Sequence, residues 1–162
     1  MFQNPVVRSK WKQLENDLIN WLPNFSTKKI QFRNSYQAII GFPSDGFRSD
    51  GMLTDGEVLI AVEVEAGQTH PDTNIGKYWF LQTRYKHYKK IILLHIYTPD
   101  FDSYGWRKKL AEFYIEEMKE LKIPIEYILL NYRNNIDYQI TLIVIKQKIE
   151  EIVKEAFNSD AR

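Results

Sequence analysis

The segment Ile91–Tyr97 (IILLHIY) constrains this chain more than any other, because His95 is its one strongly polar member. A strand with one face in water alternates apolar and polar side chains. A run without that alternation reads as a strand buried on both faces. Such a strand needs helices above and below it, and the flanking sequence supplies helical patterns on both sides.

Asn4-Pro5 predicts a helix start, with Asn as cap and Pro in the first turn. Val7, Trp11, Leu14, Leu18, Trp21 and Leu22 continue it as an apolar stripe up to Pro23. Gln31–Ile40 reads as a strand and Gly41–Gly46 as a loop. Phe47–Thr54 and Glu57–Glu65 read as two strands joined by Asp55-Gly56, a strong hairpin signal. Gly67–Asp72 is expected to turn, and Thr73–Tyr88 to form a helix despite Gly76. Asp102 or Ser103 is expected to cap a helix with the stripe Trp106, Leu110, Phe113, Met118 and Leu121. Ile125–Tyr132 is the next strand. Ile140–Ile145 has strand composition, but Tyr138, Leu142, Ile145, Ile149, Ile152 and Ala156 keep helical spacing and predict a helix. The expected fold is α/β: one domain over residues 1–162, a mixed central sheet with helices on both faces.

Composition narrows the chemistry. A chain of 162 residues is long enough to bury a core. It has no cysteine, which excludes disulfides, thiolate-bound metals and a cysteine nucleophile and makes a reducing cytoplasm the default setting. No stretch approaches the roughly 18 apolar residues of a membrane span, and Met1–Arg8 lacks a signal-peptide pattern. The net charge is only +1, but positive charge gathers locally at Lys28, Lys29 and Arg33, at Lys77, Arg84, Lys86, Lys89 and Lys90, and at Arg107, Lys108 and Lys109.

The hairpin carries the main chemical signal. With Asp55-Gly56 as its loop, Thr54 faces Glu57, Met52 faces Leu59, Asp50 faces Ala61 and Arg48 faces Glu63. Side chains alternate along a strand, so Leu59, Ala61, Glu63 and Glu65 share a face with Asp50, while Val58, Ile60, Val62 and Val64 form a core face. Three acids on one face oppose folding through mutual repulsion. A hard divalent cation such as Mg²⁺, Mn²⁺ or Ca²⁺ removes that conflict and suits phosphodiester hydrolysis. The alternative is an exposed strand end where Glu63 and Glu65 pair with Arg48 or a lysine.

Ser49-Asp50-Gly51 followed by Glu63-Val64-Glu65 resembles the signature of the PD-(D/E)xK nuclease superfamily, the restriction-endonuclease-like fold. That signature is an aspartate near the start of a hairpin's second strand, then (Asp/Glu)-x-Lys on the next strand. The element order also matches the family core, over most of the chain. Two positions depart from the pattern: Ser49 replaces proline, and Glu65 stands where the family has lysine. Some restriction endonucleases of the superfamily carry Glu-x-Glu, and in other branches the lysine migrates to the following helix. Lys77 is the matching candidate here; the alternative is a plain surface lysine. In many members a first-helix glutamate completes the metal or water shell, which points to Glu15; the alternative is a helix-edge residue paired with Lys12 or Arg8.

The resemblance implies a Mg²⁺-dependent DNA endonuclease of restriction, junction-resolving or repair type, commonly working as a homodimer. Asp50, Glu63 and the Val64 carbonyl would hold Mg²⁺ (or Mn²⁺), with Glu15 beside them. Glu65 would ligate a second ion or act as base, and Lys77 would stabilise the transition state. Arg84, Lys86, Lys89 and Lys90 would grip the DNA backbone. Gln68 and His70 could touch water or phosphate, although a turn role fits both. His87 and His95 show no zinc pattern, and His95 reads as a core or strand-end residue. The apolar Ile140–Ile145 run fits a partner surface. The rival reading is a nuclease fold without catalysis that serves as a nucleic-acid-binding or interaction module.

Overall fold

The computed structural model describes residues 5–43, 45–103 and 105–158, so the expected Asn4 cap lies outside the described residues. Helix α1 (Pro5–Trp21) runs into a short 3-10 turn (Leu22–Phe25). Strands β1 (Gln31–Asn34), β2 (Gly51–Thr54), β3 (Val58–Glu65) and β4 (Gln68–Thr69) follow. Then come α2 (Pro71–Arg84), β5 (Lys90–Tyr97), β6 (Asp102–Ser103), α3 (Arg107–Glu120), β7 (Ile125–Asn131) and α4 (Tyr138–Asn158).

The main sheet has the order β1-β2-β3-β5-β7. Its β1-β2-β3 half is antiparallel, and its β3-β5-β7 half is parallel. Helices α2 and α3 make the two parallel crossovers. The β5 run behaves as its composition requires. Ile92, Leu94 and Ile96 enter a core shared with Trp11, Leu14 and Leu18 of α1 and with Leu142, Ile145, Ile149 and Ile152 of α4. Ile91 and Leu93 enter a second core with Ile75, Tyr78 and Leu81 of α2 and Ala111 and Met118 of α3. Burying each such Leu or Ile contributes about 1.5–3 kcal/mol. The fold is thus α/β, with a mixed five-stranded sheet and helices on both faces. Among the described residues no helix is long and apolar enough to cross a membrane.

The hairpin differs from expectation by an even step. Thr54 pairs with Leu59 rather than Glu57, and Met52 pairs with Ala61. The cause is local. Asp55 Oδ1 accepts from the Glu57 and Val58 amides, while Thr54 Oγ1 donates to the Val58 carbonyl and accepts from the Gly56 amide. These bonds enlarge the turn and slide the pairing by two residues. A slide of one would have moved every side chain to the other face; a slide of two leaves all of them where they were. Continuing the Gly51–Val62 register brings Asp50 level with Glu63.

Other boundaries move for equally local reasons. The expected Gln31–Ile40 strand stops at Asn34, whose Oδ1 accepts from the Tyr36 amide and turns the chain; beyond it only Ala38 bridges to Arg48. Asp102 and Ser103 do not cap α3: they pair with β4, and the Asp102 amide donates to the Gly67 carbonyl. On α3, Trp106, Leu110, Phe113 and Leu121 are exposed, and only Met118 of the expected stripe is buried. The step from Phe113 to Met118 is five residues, which rotates the helix about 140° off the starting face. Ala111 and Met118, with Tyr114 and Ile115 partly buried, make the inward face instead.

Candidate active site

The acids converge at the carboxyl end of β3. Glu63 is 2% exposed and Glu65 0%, which removes the alternative of a solvated strand end. Asp50 leaves the ladder just before β2, and its Oδ2 accepts from the Val64 amide at 2.8 Å. Residues on a strand point their N–H and C=O to the same side, so the Val64 carbonyl also faces the Asp50 side. At the neighbouring Gly51 a Cβ would stand 2.8 Å from Leu22 Cδ1, so the chain next to Asp50 lies close against the 3-10 turn. From α1, Glu15 comes near enough to Asp50 for the Asp50 charge to raise its pKa.

Helix α2 closes the site from above. Asn74, Lys77 and Tyr78 lie at i, i+3 and i+4 and therefore share one face. Lys77 Nζ sits 2.5 Å from Glu63 Oε1, and it also donates to the Arg48 carbonyl (2.7 Å) and to Asn74 Oδ1 (3.2 Å). It is no surface lysine, being 8% exposed. Tyr78 Oη donates to Glu63 Oε1 at 2.5 Å, and Asn74 Nδ2 donates to Glu65 Oε1 at 2.5 Å. Arg107 pairs with Asp72 in the first turn of α2, tying the start of α3 to this end of the helix.

Sequence reasoning missed the role of His95. Its Nε2 lies 2.7 Å from Glu65 Oε1 and its Nδ1 2.8 Å from Tyr127 Oη, with the histidine and Glu65 fully buried. The available signal was that one polar residue inside an otherwise apolar, two-sided strand. Buried polar groups find partners, and Glu65 shares its face. Asn74 and Tyr78 were also missed; their helical spacing around Lys77 was the cue.

The electrostatics split the acids. Burial, reinforced by the Asp50 charge, raises Glu15 to about 7. Burial also raises Asp50, against the Val64 amide and Lys77. Burial, opposed by Lys77 and aided by Asp50, raises Glu63 to about 8. Glu65 goes the other way: burial opposes its charge, but the hydrogen bond and charge of His95 outweigh it and hold the carboxyl below its ordinary value. Desolvated carboxylates with too little positive charge among them favour either protons or a cation.

Carboxylate oxygens are the donors that a hard divalent cation takes. Asp50, Glu63 and Glu15 supply carboxylate oxygens, and Glu65 Oε2 is buried with no hydrogen-bond partner among the described residues. Among the described residues no three His, Asp or Glu side chains stand in ligating geometry. The Lys77 ammonium holds Glu63 instead, and a cation at Glu63 would need it to move aside.

The other basic candidates are not brought to the acids. Lys89 pairs with Glu57 and Lys90 with Glu126. Lys90 is level with Val58, so it lies at the far end of β3 from Glu63, roughly 17 Å along the strand. Arg84 is exposed in the last turn of α2, and Lys86 follows it with a left-handed backbone (φ 48°). His70 occupies the N-cap position of α2 without a side-chain cap bond. His87 packs on Tyr88. The side chain of Gln68 lies outside the described residues. Searches against protein-family models, curated proteins and solved structures find no match to this chain.

Proposed function

We propose that this chain is a Mg²⁺- or Mn²⁺-dependent DNA endonuclease with a restriction-endonuclease-like core. Asp50, Glu63 and the Val64 carbonyl form its metal site, and Glu15 completes the shell. The observation that carries the reading is the contact between Lys77 and Glu63 at 2.5 Å. It brings a lysine from the following helix to the acid-x-acid strand, where the resembling family needs one.

A bound divalent ion would lower the pKa of a water and offset charge on the phosphate. The chain's own groups do the rest. Glu65 is ionised and held through Oε1 by His95 and Asn74. Its unpartnered Oε2 is the atom able to take a proton from the attacking water or to hold a second ion. Lys77 places positive charge where the phosphate's charge develops. Arg84 lies seven residues, about 10 Å of helix rise, along α2 from Lys77; Lys89 and Lys90 would serve only a strand that runs the length of the sheet.

One observation favours the inactive binding module: both Lys77 and Tyr78 occupy Glu63 Oε1. Incubation of the protein with supercoiled, linear, single-stranded and branched DNA, in Mg²⁺, in Mn²⁺ and in EDTA, decides between them. Divalent-dependent cleavage of any form supports the nuclease. Binding without cleavage of all forms supports the module.

A further inference from the structure

One turn along α2 from Lys77, the protein displays a cluster of aromatic rings that the acidic centre does not use. Phe80 stacks on Phe42 with the ring planes 5° apart and the centroids 6.3 Å apart. Phe47 meets Phe42 and Phe80 edge to face, and so does Tyr85, at 5.3–6.2 Å. Yet Phe47, Phe80 and Tyr85 remain 43%, 47% and 44% exposed. Single exposed aromatics are ordinary, whereas a contiguous exposed group marks a contact surface.

The surface is held in place at both ends. Lys77 bonds the Arg48 carbonyl, beside Phe47. At the other end, Tyr88 Oη donates to the Ile40 carbonyl at 2.6 Å. Gly41 has φ 98°, and its missing Cβ would fall 2.8 Å from the His87 ring. The rings are therefore a preformed platform.

The charge around the rings is mainly positive. Arg48 and Arg84 are exposed, the Arg84 guanidinium lies 5.9 Å from the Tyr85 ring centre, and Lys86 follows; Asp45 is the acid in the loop. Flat rings with a basic border complement a nucleobase and its phosphate. A base inside a duplex hides its face, so only an unpaired base can stack. The platform is also within reach of the centre. Phe80 follows Lys77 by about 4.5 Å of helix rise, and Phe47 precedes Asp50 by at most about 10 Å of chain.

We infer that Phe47, Phe80 and Tyr85 stack unpaired bases of a DNA strand running beside the acidic centre, so that the substrate is single-stranded or carries an unpaired segment. The role of that strand as substrate rests on the nuclease reading; the stacking itself does not.

The test is fluorescence anisotropy with a short labelled single strand and the duplex of the same sequence, in EDTA. The proteins are the full chain and its Phe80→Ala, Phe80→Tyr and Arg84→Ala variants, each checked by circular dichroism. The single strand should bind more tightly than the duplex. Phe80→Ala should weaken single-strand binding roughly ten-fold and leave duplex binding unchanged, and Phe80→Tyr should restore it. Arg84→Ala should weaken both forms and flatten the salt dependence. If Phe80→Ala misfolds, Phe47→Ala gives the same reading. Duplex preference, or unchanged single-strand binding in folded ring variants, overturns the inference. So does loss of a dimer without loss of DNA affinity, which would assign the patch to a second copy. Cleavage in Mg²⁺ is scored separately. Ring-dependent binding without cleavage removes the nuclease reading and keeps the platform; cleavage without ring dependence does the reverse.

Discussion

Lys77 Nζ and Glu63 Oε1 are 2.5 Å apart, and both side chains are buried, at 7% and 2% exposure. The lysine lowers the pKa of this acid, but burial outweighs it and holds Glu63 at about 8, so the two form a full ion pair only above that pH. Removing one member of such a pair strands the other charge, a cost of about 3 kcal/mol. Lys77→Met should therefore destabilise the metal-free protein by about that amount above pH 8 and by less near pH 5, where Glu63 can take a proton. Urea denaturation at the two pH values measures this. Equal losses at both would mean that Glu63 is not the charge Lys77 serves.

The raised acids also set the pH dependence of the unaltered protein. Glu63 titrates at about 8 in the fold, against an ordinary value of 4.5. Between those values the folded chain holds a proton that the unfolded chain has released, so stability falls as pH rises through the window. Glu15, raised to about 7, acts in the same direction. A divalent ion replaces the proton. Mg²⁺ at a hundred times its Kd should stabilise by about 2.7 kcal/mol, a Tm shift of roughly 5–10 °C. The shift at a fixed Mg²⁺ concentration should be larger at pH 8 than at pH 5. Melting curves with and without Mg²⁺ read both effects. A pH-independent stability, or a Mg²⁺ shift that survives Asp50→Asn with Glu63→Gln, would contradict the site.

The sequence carries some of these relationships and not others. Face parity was legible: period-two alternation put Asp50, Glu63 and Glu65 together, and the even slide of the register left them so. The register itself was not, because the Asp55 and Thr54 side chains remade the turn. The two-sided burial of β5 was legible from its composition alone. The partners of His95 were not, since Glu65 and Tyr127 reach it from neighbouring strands distant in sequence. Lys77 was legible only as a candidate, because its reach depends on how α2 docks. The inward face of α3 departs from the expected stripe because the five-residue step from Phe113 to Met118 breaks the helical period.

Both ring nitrogens of His95 are engaged, by Glu65 and Tyr127, so under the proposed function it acts through Glu65 as a positioning residue. Glu65→Gln should lower turnover at least a hundred-fold while DNA affinity survives. His95→Ala should lower turnover less and cost about 1–3 kcal/mol of stability, because it leaves a buried carboxylate short of a donor. His95→Gln, which keeps a donor, should recover part of both losses. Steady-state cleavage, DNA anisotropy and denaturant melts separate these effects. A His95→Ala protein with unchanged turnover would make the contact purely structural.

Helix α4 turns Leu142, Ile145, Ile149 and Ile152 inward but leaves Ile140, Ile143 and Val144 at 60%, 54% and 39% exposure. An apolar stripe of this kind fits a surface that a second copy of the chain covers. Sedimentation equilibrium should show a dimer, and Ile143→Glu should dissociate it with little change in the stability of the monomer. A monomer at micromolar concentration and above would contradict it.

Under the proposed function, DNA cleavage occurs at the acidic end of β3 and depends on a divalent ion. The most direct measurement is the single-turnover cleavage rate in Mg²⁺ for the unaltered chain and for Asp50→Asn, each confirmed folded by circular dichroism. Cleavage should be abolished by EDTA and lowered at least a hundred-fold by Asp50→Asn. Equal rates in the two proteins, or no cleavage of any DNA form by the unaltered chain, would contradict it.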